Sequence, residues 1–178
     1  FHVNLRIRIL GFIIPQSGVF SYIFFAFAPA PCYNGGQEKR NGKEYRMNDL
    51  CAFVGCGNMG GALVRAAAKS SFGPERIGVL DHHPDKTEAL CRETGCHAAS
   101  SEEAVSARFL FLGMKPQAFA KAADELRPLL AGKTPVLVSM LGGTPIARVK
   151  ELLGELPVIR IMPNLPVAVG AGMTLWCA

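Results

Sequence analysis

The chain has 178 residues, 49% of them hydrophobic and 19% charged, with a single Trp; this is one domain's length with ample material for a core, which excludes intrinsic disorder. Its net charge of +5 does not mark a nucleic-acid binder, because residues 1–46 hold six Lys/Arg against two Asp/Glu while the remainder holds 13 against 12, with no basic stripe interleaved with aromatics. The six cysteines form no C-x-x-C pair and have no histidine at metal-ligand spacing from any two of them, so no metal is expected and they read as packing residues of a reduced, cytoplasmic chain.

Residues 1–46 show no helical or strand period. Arg6 and Arg8 ahead of apolar residues, with small residues at Ala26–Ala30, imitate a secretory signal. Pro15–Gly18 interrupts the apolar stretch, however, and neither half approaches the ~20 residues of a membrane span, so no membrane association is expected. Gly42-Lys43-Glu44 can be encoded by a purine-rich stretch of the ribosome-binding type, and the codons for Tyr45 and Arg46 then space it from Met47. The expectation is that translation starts at Met47, residues 1–46 being an upstream extension or else a disordered, apolar leader, and residues 47–178 the domain.

From Leu50 a short apolar strand runs to Val54, followed by Gly55-Cys56-Gly57-Asn58-Met59-Gly60-Gly61 and an Ala-rich helix, Ala62–Lys69. In a strand–turn–helix of this kind the first glycine permits the turn, the second lets a pyrophosphate approach the backbone, and the third lets helix and strand pack closely. A second strand, Ile77–Leu80, ends at Asp81, 21 residues after Gly60, where an acid that binds the adenosine ribose belongs. A solvated turn residue is the alternative for Asp81. His82, His83 and Lys86 can instead meet a 2′-phosphate, so NADH and NADPH both stay open as the cofactor.

The alternation continues with a helix at Pro84–Thr94 ended by Gly95, a buried strand at Phe109–Leu112, a helix at Gln117–Leu130 and a strand at Pro135–Ser139. A helix over Thr144–Leu153, with Thr144 as its cap and Pro145 at its first position, leads to a final strand at Val158–Met162. Unbroken apolar strands separated by helices define an α/β, doubly wound parallel sheet of the Rossmann type, with its ligand crevice at the strands' carboxyl ends.

The Gly55–Gly60 loop is followed in order by Gly113-Met114-Lys115-Pro116-Gln117, Ser139-Met140-Leu141-Gly142-Gly143 and Arg160-Ile161-Met162-Pro163-Asn164-Leu165-Pro166. With these motifs in this order, residues 48–178 resemble pyrroline-5-carboxylate reductase. The resemblance implies hydride transfer from NADPH or NADH to the C=N carbon of a cyclic imino acid, giving L-proline, with no protein nucleophile. It implies that Gly113, Met114, Lys115 and Pro116 pass the cofactor's ribose and nicotinamide side, and that Met140, Leu141, Gly142 and Asn164 line the nicotinamide pocket. No catalytic residue follows from it. Two departures stand out: Asp81-His82-His83 replaces a neutral or Arg-containing turn, and Ser101-Glu102-Glu103 replaces an Asn near the adenine. The family's helical domain, with a serine- and glycine-rich loop for the substrate carboxylate and the helices that form a homo-oligomer, is expected beyond Ala178. An isolated dinucleotide-binding module, or another imine or keto reductase of the superfamily, are the alternatives.

Overall fold

The computed structural model describes residues 37–40, 43–46, 50–70, 72–169 and 171–178. The expected start at Met47 lies outside the described residues, as does the apolar leader. Upstream of Met47, Gln37–Arg40 and Lys43–Arg46 pair as an antiparallel hairpin, Gln37 opposite Arg46. The residues of both strands are polar or charged, so no apolar alternation marks the hairpin in the sequence.

The domain is built on a seven-stranded sheet. In chain order its strands are β1 (Cys51–Val54), β2 (Ile77–Leu80), β3 (His97–Ala98), β4 (Phe109–Leu112), β5 (Val136–Ser139), β6 (Val158–Pro163) and β7 (Thr174–Cys177). They lie side by side in the order β3-β2-β1-β4-β5-β6-β7. All neighbours are parallel except β6 and β7, which run antiparallel. The helices are α1 (Asn58–Ala68), α2 (Pro84–Thr94), α3 (Ser101–Ser106), α4 (Pro116–Leu126) and α5 (Ile146–Leu153).

Because alternate residues of a strand face opposite sides, each central strand feeds two cores. Cys51 and Phe53 of β1, Phe109 and Phe111 of β4 and Val138 of β5 join Leu63, Val64 and Ala67 of α1 and Leu90 of α2 on one face. Ala52, Val54, Leu110, Leu112 and Leu137 join Val105 of α3, Phe119, Ala123 and Leu126 of α4 and Val149 and Leu153 of α5 on the other. Phe53 and Phe111 stack across the β1–β4 pair with centroids 4.2 Å apart. Sheet order reverses at this pair, so that α1 and α4 pack on opposite faces, and open α/β sheets bind ligands in the crevice at such a point.

Several boundaries differ from the sequence-based expectation. α1 begins at Asn58, ahead of the Ala-rich run. α4 ends at Leu126 rather than Leu130, because Pro128 has no N–H to continue the ladder and the chain tightens into a 3-10 turn over Pro128–Leu130. Thr144 does not cap α5. Pro145, extended at φ −74° and ψ 158°, is the N-cap, and its carbonyl accepts from the Arg148 and Val149 N–H groups. β3, α3 and β7 were not foreseen.

Candidate functional site

The turn after β1 is locked by contact rather than by side-chain bonds. Gly55 takes φ +93°, and a Cβ there would lie 2.5 Å from the Met114 nitrogen. A Cβ on Gly113 would lie 2.6 Å from the Gly55 carbonyl oxygen, and one on Gly60 would collide with the same oxygen. Three glycines thus press the β1–α1 loop, the start of α1 and the β4–α4 loop together. Gly57 is the opposite case: nothing lies within 4 Å of where its Cβ would be. It is exposed and opens onto the crevice.

α1 has no side-chain N-cap and no acid in its first turn, and Gly61 is the residue whose N–H first bonds back, to the Gly57 carbonyl at 2.8 Å. The N–H groups of Asn58, Met59 and Gly60 are left without an intrahelical acceptor. The open approach at Gly57, at a helix start bare of negative charge, suits a pyrophosphate. The residues present fit a dinucleotide.

Asp81 follows β2 and is turned inward. Its Oδ2 accepts from the Cys56 N–H at 2.6 Å, its Oδ1 accepts from the His83 N–H at 3.0 Å, and its side chain is only 6% exposed. Burial by itself would raise its pKa; the two backbone hydrogen bonds, with His82 and Lys86 nearby, outweigh that and hold the carboxyl below its ordinary range. Asp81 therefore fastens the second loop to the glycine turn. Cys56 belongs to the same latch: it is buried, its thiol lies 3.8 Å from the Leu80 carbonyl oxygen, and burial, then Asp81, pushes its pKa up to about 12.

What faces outward after β2 is the pair His82 and His83, exposed, with ring centroids 4.1 Å apart. Ligand-type atoms of Asp81, His82 and His83 lie within 4.8 Å of one another. With the carboxylate engaged by backbone N–H groups, two exposed imidazoles remain, fewer donors than a zinc site takes.

The remaining sequence-predicted residues divide. Met114 is half-buried against the second core, Lys115 is the exposed N-cap of α4, and Pro116 is its first residue. The Met140 sulfur lies 3.5 Å from where a Gly113 Cβ would stand, which brings the β5 loop to the same crevice, and Gly142 has open space around it. Leu141 is packed into the second core at 1% exposure, so the backbone beside it, not its side chain, borders the loop. Asn164, just past β6, is exposed, and its Oδ1 accepts from the Met173 N–H at 2.8 Å. That bond holds the return to β7, while Val167 and Ala168 of the intervening turn pack in the α1 core and draw this segment towards the glycine loop. Sequence reasoning missed the Asp81–Cys56 latch and the Asn164–Met173 bond. Neither has a local signal, since each joins a side chain to a distant backbone N–H.

A parallel sheet whose switch point carries an open glycine cradle defines the dinucleotide-binding domain of an NAD(P)-dependent oxidoreductase. The family model described as "NADP oxidoreductase coenzyme F420-dependent" matches residues 51–143. Pyrroline-5-carboxylate reductase of Escherichia coli (strain K12) is 36% identical over 132 residues, covering 72% of this chain and 49% of that protein. The solved structure of a pyrroline-5-carboxylate reductase from Coxiella burnetii superposes with a TM-score of 0.66 at 26% identity, over 74% of this chain and 49% of that one. The Plasmodium falciparum pyrroline carboxylate reductase crystallised with NADP bound gives a TM-score of 0.60 at 27% identity, over 72% of this chain and 47% of that one. The chain belongs to the pyrroline-5-carboxylate reductase family. It spans about half the length of the curated relatives it matches.

Proposed function

We propose that this chain binds NADPH or NADH as the dinucleotide half of a pyrroline-5-carboxylate reductase, which reduces the C=N bond of the cyclic imino acid 1-pyrroline-5-carboxylate to give L-proline. The observation that carries this is the empty space at Gly57 beside glycines that admit no side chain. Backbone N–H groups of Asn58, Met59 and Gly60 hold the pyrophosphate there; the Cys56 N–H, already given to Asp81, supports the loop instead. The adenosine end lies at Asp81–His83. Gly113, Met114, Lys115 and Pro116, with Met140, Gly142 and Asn164, form the nicotinamide side. The bound reduced nicotinamide supplies the hydride.

The residues of this chain orient and shield. Asn164 has its oxygen committed to Met173, so its NH2 group is the one free to donate to a carboxamide in the crevice. Met140 and Met114 give that end an apolar, adaptable wall. We propose that binding of the imino acid's carboxylate and the contacts of a homo-oligomer come from the part of the relatives beyond the matched half. Calorimetric titration of the chain with NADPH and with NADH tests the reading: micromolar-range binding of at least one is expected, and binding of neither overturns it.

A further inference from the structure

We infer that His82 and His83, with Lys86 beside them, form a proton-linked selector for the 2′-phosphate that distinguishes NADP(H) from NAD(H). This rests on the dinucleotide site proposed above and adds to it the residues that choose between the two coenzymes.

An acid after the second strand of such a sheet ordinarily binds the ribose diol and repels a 2′-phosphate. Here that acid faces the wrong way to do so. The Asp81 side chain is 6% exposed, and its two oxygens receive the N–H groups of Cys56 and His83. Outward, the same turn presents the His82 imidazole, 78% exposed, with the His83 ring 4.1 Å from it, and Lys86 follows in the first turn of α2. A neutral imidazole offers one donor and a protonated one offers two plus a charge. Both rings stand close enough to face one phosphate.

The charged groups around the pair come from each neighbouring element. Asp81 lies beneath it, with His82 Nδ1 3.5 Å from Oδ1, and the Cys56 thiol stands in the glycine loop. Asp85 and Lys86 open α2. Glu102 and Glu103 open α3, beyond the neighbouring strand β3, where Glu103 is engaged by His97 at 2.8 Å. Arg65 of α1 is spent on Glu93 at the far end of α2, at 2.7 Å. Lys86 is thus the fixed cation of the turn, and the rest of the positive charge for a phosphate must come from imidazoles. A phosphate dianion favours the charged form of an imidazole against it, so phosphate binding and proton binding reinforce each other.

The test uses the full chain with NADP+ and NAD+, which differ by the same phosphate and survive mild acid. Between about pH 8 and about pH 6, NADP+ should bind roughly five- to tenfold more tightly, while NAD+ affinity moves by less than about twofold. Calorimetry in two buffers of different ionisation enthalpy should show net proton uptake with NADP+ and none with NAD+. The coenzyme's own phosphate loses protons on meeting cations, so uptake identifies the imidazoles. In His82→Gln/His83→Gln the NADP+ to NAD+ affinity ratio should no longer depend on pH, whereas Lys86→Gln should lower it at every pH and keep the slope. Parallel pH profiles for the two coenzymes in the unaltered chain overturn the inference while leaving the dinucleotide site standing. A slope that persists in the double variant also overturns it. Binding of neither coenzyme removes the site and the inference together.

Discussion

Gly57 and Asp81 show how differently residues of one loop act. With nothing within 4 Å of its Cβ position, Gly57 leaves room for a side chain, so in Gly57→Val the fold should persist while the branch occupies the space of the phosphate. Dinucleotide affinity should fall at least about tenfold, the equivalent of ~1.4 kcal/mol, with thermal stability little changed. A folded variant that titrates like the parent would make the loop a plain turn. Asp81→Asn should act on stability instead, costing ~1–2 kcal/mol in denaturant unfolding, because an amide cannot accept from both Cys56 and His83 with two oxygens. Its sign with pH follows from the lowered pKa: the stabilisation is complete above the unfolded carboxyl's value of ~3.9 and is lost as pH falls through the lower folded value. Acid unfolding of the parent and the variant should therefore converge at low pH; a constant gap would show that charge is not what Asp81 contributes. The glycines were legible in the sequence because their steric tasks follow from spacing. The inward turn of Asp81 was not, since spacing places a carboxylate at a strand end without saying which way it points.

Elements that bury a long apolar run announced themselves, and those held by capping or by pairing at the sheet's edge did not. β1, β4 and β5 are hydrophobic on both faces and were found at nearly their true bounds. β3 has two residues, His97 and Ala98, at an edge, and β7 is a short strand with most of its residues exposed, after a glycine-containing loop. Neither has a period to detect. α3 did carry a signal that passed unused: Ser100 and Glu103 stand at the spacing of a capping box. Ser100 Oγ accepts from the Glu103 N–H at 3.2 Å, and the Glu103 carboxylate reaches His97 at 2.8 Å. Ser100→Ala should cost ~1 kcal/mol in chemical denaturation, because a six-residue helix has few other ways to satisfy its first turn. Ser100→Asp should restore most of the loss. No change in either variant would show that α3 is held by Ala104 and Val105 in the core alone.

At the scale of the whole molecule the surface is uneven. The large exposed hydrophobics among the described residues are Met162, Leu165, Val169, Met173, Leu175 and Trp176, all on β6, β7 and the segment joining them. A cluster so confined favours association over a free surface. The 178-residue chain should therefore self-associate at raised concentration, seen as a concentration-dependent sedimentation coefficient, with blue-shifted emission from Trp176, its single tryptophan. Leu175→Lys should weaken that association without touching the crevice residues. The same asymmetry bears on turnover. The site proposed above for the dinucleotide lies within residues 50–178, in a chain that spans about half the length of the relatives it matches. Orienting two reactants accounts for ~7–11 kcal/mol of a catalysed barrier, and the groups we propose here serve the dinucleotide alone. The chain should bind a nicotinamide dinucleotide yet oxidise NADPH or NADH with saturating 1-pyrroline-5-carboxylate at a rate orders of magnitude below that of a full-length reductase. Turnover at the full-length rate would place substrate binding within residues 50–178, and the exposed β6–β7 face, next to Asn164, would then be the surface on which to look for it.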